Sequence, residues 1–145
     1  MAELTSRAAL DPFGQTLFVD DLGDLVLERD NAGLLGLRTS GGPANLGQGL
    51  RITVETPLGS DIFNEAFGFD LLSILRAGYP LELTKQLIRL HTVRAITSDD
   101  RVQRIEDLVF DDDSQHKVTR RWQLDVLIQP IAGRPVSVPV RVTGV

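Results

Sequence analysis

Residues 54 to 71 read VETPLGSDIFNEAFGFDL, and Glu55, Asp61, Glu65 and Asp70 give this stretch four carboxylates. Two carboxylates at a set separation are what glycoside hydrolysis requires, one as acid and one as base or nucleophile. The same stretch holds Thr56-Pro57-Leu58-Gly59 and then Phe67-Gly68. Turn formers beside aromatics suit a rigid corner that docks onto another protein, with Phe63, Phe67 and Phe69 anchoring the following loop onto the core and Gly68 allowing close backbone approach. With 20 acids among 145 residues, such clusters arise often by chance, so the acids alone decide nothing.

The remaining catalytic patterns are weaker. A Ser-His-Asp site has to use His91 or His116 with Ser40, Ser60, Ser73, Ser98, Ser114 or Ser137. No Gly-x-Ser-x-Gly elbow presents any of these serines. The run from Asp111 to His116 lacks the sixth-position Gly and closing Glu of an EF-hand loop, and reads as a solvated hairpin loop. Neither Gly41-Gly42-Pro43 nor Gly47-Gln48-Gly49 leads into the Gly-Lys-Ser/Thr of a phosphate loop. The chain has no cysteine, which removes disulfides and thiolate metal sites. No catalytic residue, metal ligand or cofactor is expected.

The elements that position these residues follow from periodicity. Residues 15–29 predict two short strands around Asp21-Leu22-Gly23-Asp24, with Gly23 supplying the positive φ of a tight turn. Residues 30–43, rich in Gly, Asn and Ser, predict a connector. Pro43 opens a helix whose Leu46, Leu50 and Val54 recur every four residues, and which ends before Pro57. Residues 70–76 predict a short helix closed by Gly78. The segment from 81 to 100 is the clearest helix. Leu83, Leu87 and Leu90 line one face, while Leu81, Ile88 and Ala95 line another about 140° away, so a helix covered on both sides is expected. His91 on this helix reads as a packed or surface residue.

Beyond Arg101 the period falls to two. Residues 102–110 predict a strand; Trp122, Leu124, Val126 and Ile128 alternate in a second, and Val136, Val138, Val140 and Val142 in a third. The expected fold is α+β: an antiparallel C-terminal three-stranded meander packed on a long helix, with an N-terminal hairpin extension. Pro139 and Arg141 face away from the valines. Because proline cannot donate to a ladder, the last strand belongs at a sheet edge or carries a bulge. An open edge is a template for another chain's strand.

Charge narrows the partners. The net charge is −5, with −6 on residues 1–80 and +1 on residues 81–145. Without a basic footprint, nucleic acid is not an expected ligand. No apolar run approaches the roughly 20 residues that span a bilayer, and the first residues lack a signal-peptide core. Neither a membrane partner nor general secretory export is expected.

Three segments taken together carry a resemblance: Gly42 to Leu50 (GPANLGQGL), Thr56-Pro57-Leu58-Gly59 followed by Phe67-Gly68, and Ser98-Asp99-Asp100-Arg101-Val102. In order and spacing this set resembles the baseplate wedge, or sheath-initiator, proteins of contractile phage tails and related contractile injection systems. The resemblance covers about residues 42–145 and leaves residues 1–41 as a separate extension. It implies a structural, non-catalytic α+β protein assembled in the cytoplasm of the bacterial host or producer, and built into the baseplate of a virion or injection particle. Baseplate wedge proteins, the sheath protein and the tail tube are the implied partners. The implied partner-binding residues are Thr56, Pro57, Gly59, Phe67, Gly68, Asp99 and Arg101. Residues Val136, Val138, Pro139, Val140, Arg141 and Val142 are the implied edge for sheath strands. The family's corner is typically Glu-Pro-Arg; here Asp99-Asp100-Arg101 keeps the arginine, shortens the acid and lacks the proline. Members often carry "lysozyme-like" in their names, so a peptidoglycan-degrading enzyme using Glu65 or Asp70 stands as the alternative. A binding module from another machine is the third reading.

Overall fold

Two aspartates set the first turns of the chain. Asp20 Oδ1 accepts the N–H groups of Leu22 and Asp24, and Asp30 Oδ1 those of Ala32 and Leu34. Each is followed by a glycine at positive φ, Gly23 at 90° and Gly33 at 79°, as side-chain-supported turns require. The computed structural model describes residues 11–111 and 121–143; the acidic run beyond Asp111, with His116, lies outside them. The chain divides into two compact units, Met1–Gln48 and Gly49–Val145.

In the first unit the turn at Gly23 brings Val19 and Leu25 into an antiparallel bridge. The flanking strands then diverge. β1 (Gln15–Leu17) pairs with β4 (Thr39–Gly41), and β2 (Leu27–Arg29) pairs with β3 (Leu35–Leu37). The connector expected over 30–43 is therefore corrected: it carries two strands. Its glycines have low strand propensity, but cross-strand partners such as Leu27 opposite Leu37 outweigh it. Helix α1 (Gly42–Glu55), whose residues up to Gln48 belong to this unit and whose remainder belongs to the second, buries Leu46, Leu50 and Val54, as their spacing predicts. Its two internal glycines cost about 1 kcal/mol each. Amide side chains in its first turns help to offset this. Asn45 Nδ2 donates to the Phe13 carbonyl at 2.8 Å, and its Oδ1 accepts the Thr16 hydroxyl. Gln48 donates to the Leu17 carbonyl and accepts from Val19 N.

The second unit is α+β. α2 (Leu71–Arg76) is capped by Asp70, whose Oδ1 accepts Ser73 N at 3.3 Å. α3 (Leu81–Thr97) corrects the two-sided expectation. It buries Thr84, Ile88, Thr92 and Ile96, while Leu81, Leu83 and Leu90 are 40%, 41% and 46% exposed. The core stripe thus uses two threonines; the Thr84 hydroxyl meets the Pro80 carbonyl at 3.1 Å.

β5 (Val102–Phe110), β6 (Arg121–Pro130) and β7 (Val136–Thr143) form an antiparallel sheet in that order, with β5 against α3. Trp122, Leu124, Val126, Ile128, Val138 and Val140 are buried; Gln123, Asp125, Ser137, Pro139 and Arg141 are exposed. This is the alternation the sequence predicts.

Candidate functional site

The opening stretch folds back on itself through one glycine. Phe69 N donates to the Thr56 carbonyl at 2.8 Å, and Leu58 N to the Phe69 carbonyl at 3.1 Å, so Pro57 and Phe69 form a parallel bridge. Between them Gly68 sits at φ 109°, and a Cβ there would lie 2.6 Å from the Thr56 oxygen and 2.9 Å from that of Pro57. Only glycine permits this approach. Gly59, at φ 75°, completes the Pro57–Ser60 turn, closed by Ser60 N on the Pro57 carbonyl.

The aromatics divide in a way the sequence does not reveal. Phe69 is buried, and its ring meets that of His91 edge-on at 6.3 Å. Phe67 is half-buried. Phe63, expected as a third anchor, is 93% exposed, because Asp61 Oδ1 captures its N–H in a local turn at the loop tip. The acids serve local structure. Asp61 holds that turn, Asp70 caps α2, and Glu55 lies 4.0 Å from Arg51 one helical turn away. Glu65 is exposed.

At the corner after α3 the Asp99 carboxylate collects three donors. Arg101 Nε reaches Oδ1 at 2.9 Å, Nη2 reaches Oδ2 at 2.6 Å, and the Arg101 backbone N–H reaches Oδ1 at 3.0 Å. This paired geometry is the strong form of an ion pair. It also closes the turn that leads into β5. The guanidinium lies beside α1, where a Cβ on Gly49 would come within 3.0 Å of Nη2. The hydrogen bond from Arg101, chiefly, holds the Asp99 carboxyl below the usual carboxylate range against the opposing effect of burial. Arg101 is shifted up by the same bond.

A folded-state pKa below the unfolded one stabilises the protein above the unfolded value, and that stabilisation is lost as pH falls through the folded value. The Asp99→Asn variant should therefore be less stable than the parent by a constant margin above about pH 5, shrinking below about pH 4. Urea unfolding from about pH 7 down to about pH 3, across the unfolded carboxylate value, tests it. A margin independent of pH would show that the ion pair contributes nothing.

The loop and the corner meet. A groove of about 580 Å³ is walled by Thr53, Leu58, Phe67, His91, Arg94 and Asp99, with Gly68 in its lining. Of the residues expected to bind partners, Phe67, Gly68 and Asp99 line it. Thr56 and Pro57 form the backbone bridge that shapes its loop wall, whereas Gly59 and Arg101 are outside the lining. His91 and Arg94 contribute cationic or donor groups that sequence reasoning did not assign; their spacing of three on α3 was the available signal.

The sheet edges offer a second candidate surface. Asp125 faces Pro139 in the β6–β7 register. Proline has no N–H, so that pair is of the non-hydrogen-bonded kind, and the pairs at Val138 and Val140 carry the bonds. The main-chain groups of Ser137, Pro139 and Arg141 consequently point to the free side of β7. On β6 the phase then makes Leu108 opposite Val126 a non-hydrogen-bonded pair, turning the Leu108 backbone outward. There it is already occupied: Asp107 Oδ1 takes its N–H at 2.8 Å and Arg89 Nη2 its carbonyl at 3.2 Å. Two register shifts distort β5 further. Among the described residues β7 is thus the regular edge of this sheet left unpaired. No family model and no curated protein matches this chain.

Proposed function

We propose that this chain is a structural component of the baseplate of a contractile tail or contractile injection system, binding wedge proteins and starting sheath polymerisation. One observation carries the reading. Of the three segments whose order resembles the baseplate wedge family, the second and third meet: Leu58, Phe67, Gly68, Ser98 and Asp99 line one groove, and Thr56-Pro57 shape its loop wall. Motifs far apart in sequence that gather on one surface fit recognition of a partner. The unpaired β7 edge supports the sheath-facing half of the role, since an edge strand can accept a strand from a neighbour.

Of the two acids the peptidoglycan-hydrolase alternative names, Asp70 is engaged as the cap of α2 and Glu65 is exposed at the loop surface, which favours the structural reading. Among the described residues no helix is long and apolar enough to cross a membrane. The deciding experiment is negative-stain electron microscopy of tails from cells lacking this protein. Tubes on baseplates without sheath, or missing baseplates, are the expected result. Normal contractile particles in the deletion strain would discard the role.

A further inference from the structure

We infer that the free edge of β7 takes an extended segment of a different protein and rejects a second copy of this chain, with Pro139 making the choice. The inference rests on the reading of β7 as a docking edge. It adds which partner that edge admits.

Backbone donors decide between the two partners. On the free side of β7 the outward positions are Ser137, Pro139, Arg141 and Thr143, alternate residues of the strand. Each offers a carbonyl, and each except Pro139 offers an N–H. A foreign strand laid along this edge loses one hydrogen bond, the one for which Pro139 has no donor, and bows locally around the ring Cδ that stands in place of the N–H. A second copy fares worse. Two-fold symmetry makes the pairing antiparallel, and every hydrogen-bonded register that overlaps the strand centre brings both prolines into the ladder. Each copy then lacks a donor, so two bonds are lost. The residue opposite either proline also keeps an unpaired carbonyl, which is costly where the interface excludes water.

The side chains state what the incoming segment looks like. The inner face of β7 is Val138 and Val140, both buried, and its outer face is Ser137, Pro139 and Arg141, all exposed. A matching strand alternates apolar and polar residues. Opposite Arg141 it places an acid or a hydroxyl, as cross-strand pairing favours. The β5 edge does not compete, because Asp107 and Arg89 occupy the outward backbone at Leu108.

The full chain is tested by sedimentation and by amide exchange. Pro139→Thr restores the donor with a residue that favours strands. The parent should stay monomeric where P139T dimerises, with self-association at least about tenfold tighter from the two recovered bonds. As a foreign strand we choose a soluble peptide alternating Thr and Val, with one Glu and no Pro. It should slow amide exchange at Ser137 and Arg141 in the parent, leaving Val138 and Val140, already bonded to β6, unchanged. If P139T remains as monomeric as the parent, or the peptide protects neither outward amide, the inference is overturned.

The two readings fail separately. Peptide protection at β7 together with normal tails in the deletion strain keeps the selective edge and removes the baseplate role. Defective tails together with a monomeric P139T keep the role and remove the edge.

Discussion

Gly68→Ala is expected to lose on the order of 4 kcal/mol of stability, the largest single-site effect in the loop. Two costs combine. The backbone at φ 109° is strained for any side chain, worth about 1–3 kcal/mol. The new methyl would also lie 2.6 Å from the Thr56 oxygen and 2.9 Å from the Pro57 carbonyl, which are main-chain atoms that cannot swing aside. Relief requires separating the two strands of the bridge. That breaks the Phe69–Thr56 and Leu58–Phe69 hydrogen bonds and loosens buried Phe69 from His91. Gly78→Ala is the control, for Gly78 has φ 67° and nothing within 4 Å of a Cβ; it should cost only about 1 kcal/mol. Chemical denaturation of the two variants separates strain from collision. Equal losses would mean that the loop yields freely and that the groove wall is not held by this contact.

Much of the second unit can be read from its residues because burial there follows one simple period. The alternation in β6 and β7 fixes which side chains face the core, and Pro139 marks the edge strand before any pairing is known. Leu46, Leu50 and Val54 do the same for α1. The first unit is less legible. Leu35 and Leu37 are strand residues set among glycines, and their partners come from β2, so the local pattern is that of a loop. The signal that was available is the pair of Asp-x-x-Gly turns at Asp20 and Asp30, whose carboxylates bond the backbone identically.

The site shows the same limit. Asp99 and Arg101 are recognisable as an ion pair two residues apart, and Gly68 as a glycine beside aromatics. That Gly68 packs on Thr56 and Pro57 depends on a chain reversal twelve residues long, and that Gly49 makes room for Arg101 depends on α1 meeting the corner. Such contacts between distant segments leave no periodic trace. Phe63 fails for a related reason: composition makes it an anchor, but the turn held by Asp61 points it to solvent.

The sharpest conflict between pattern and structure lies on α3, and it gives the second large effect. Periodicity offers two apolar faces, Leu83–Leu87–Leu90 and Leu81–Ile88–Ala95, and with them a helix covered on both sides. The fold buries instead a single stripe, Thr84, Ile88, Thr92 and Ile96, spaced by four along the helix, which shares only Ile88 with those faces. Ile88 is fully buried and Leu90 is 46% exposed. Ile88→Ala should therefore cost about 2–5 kcal/mol, the transfer loss plus an unfilled cavity. Leu83→Ala and Leu90→Ala should each stay within about 0.5 kcal/mol, as surface changes do. All three replace a large aliphatic residue by alanine at interior helix positions, so helix propensity contributes little to the contrast. Urea midpoints of the isolated chain give the comparison directly. If Leu90→Ala proved as damaging as Ile88→Ala, the leucine face would be covered in the free protein and the burial pattern of α3 would be wrong.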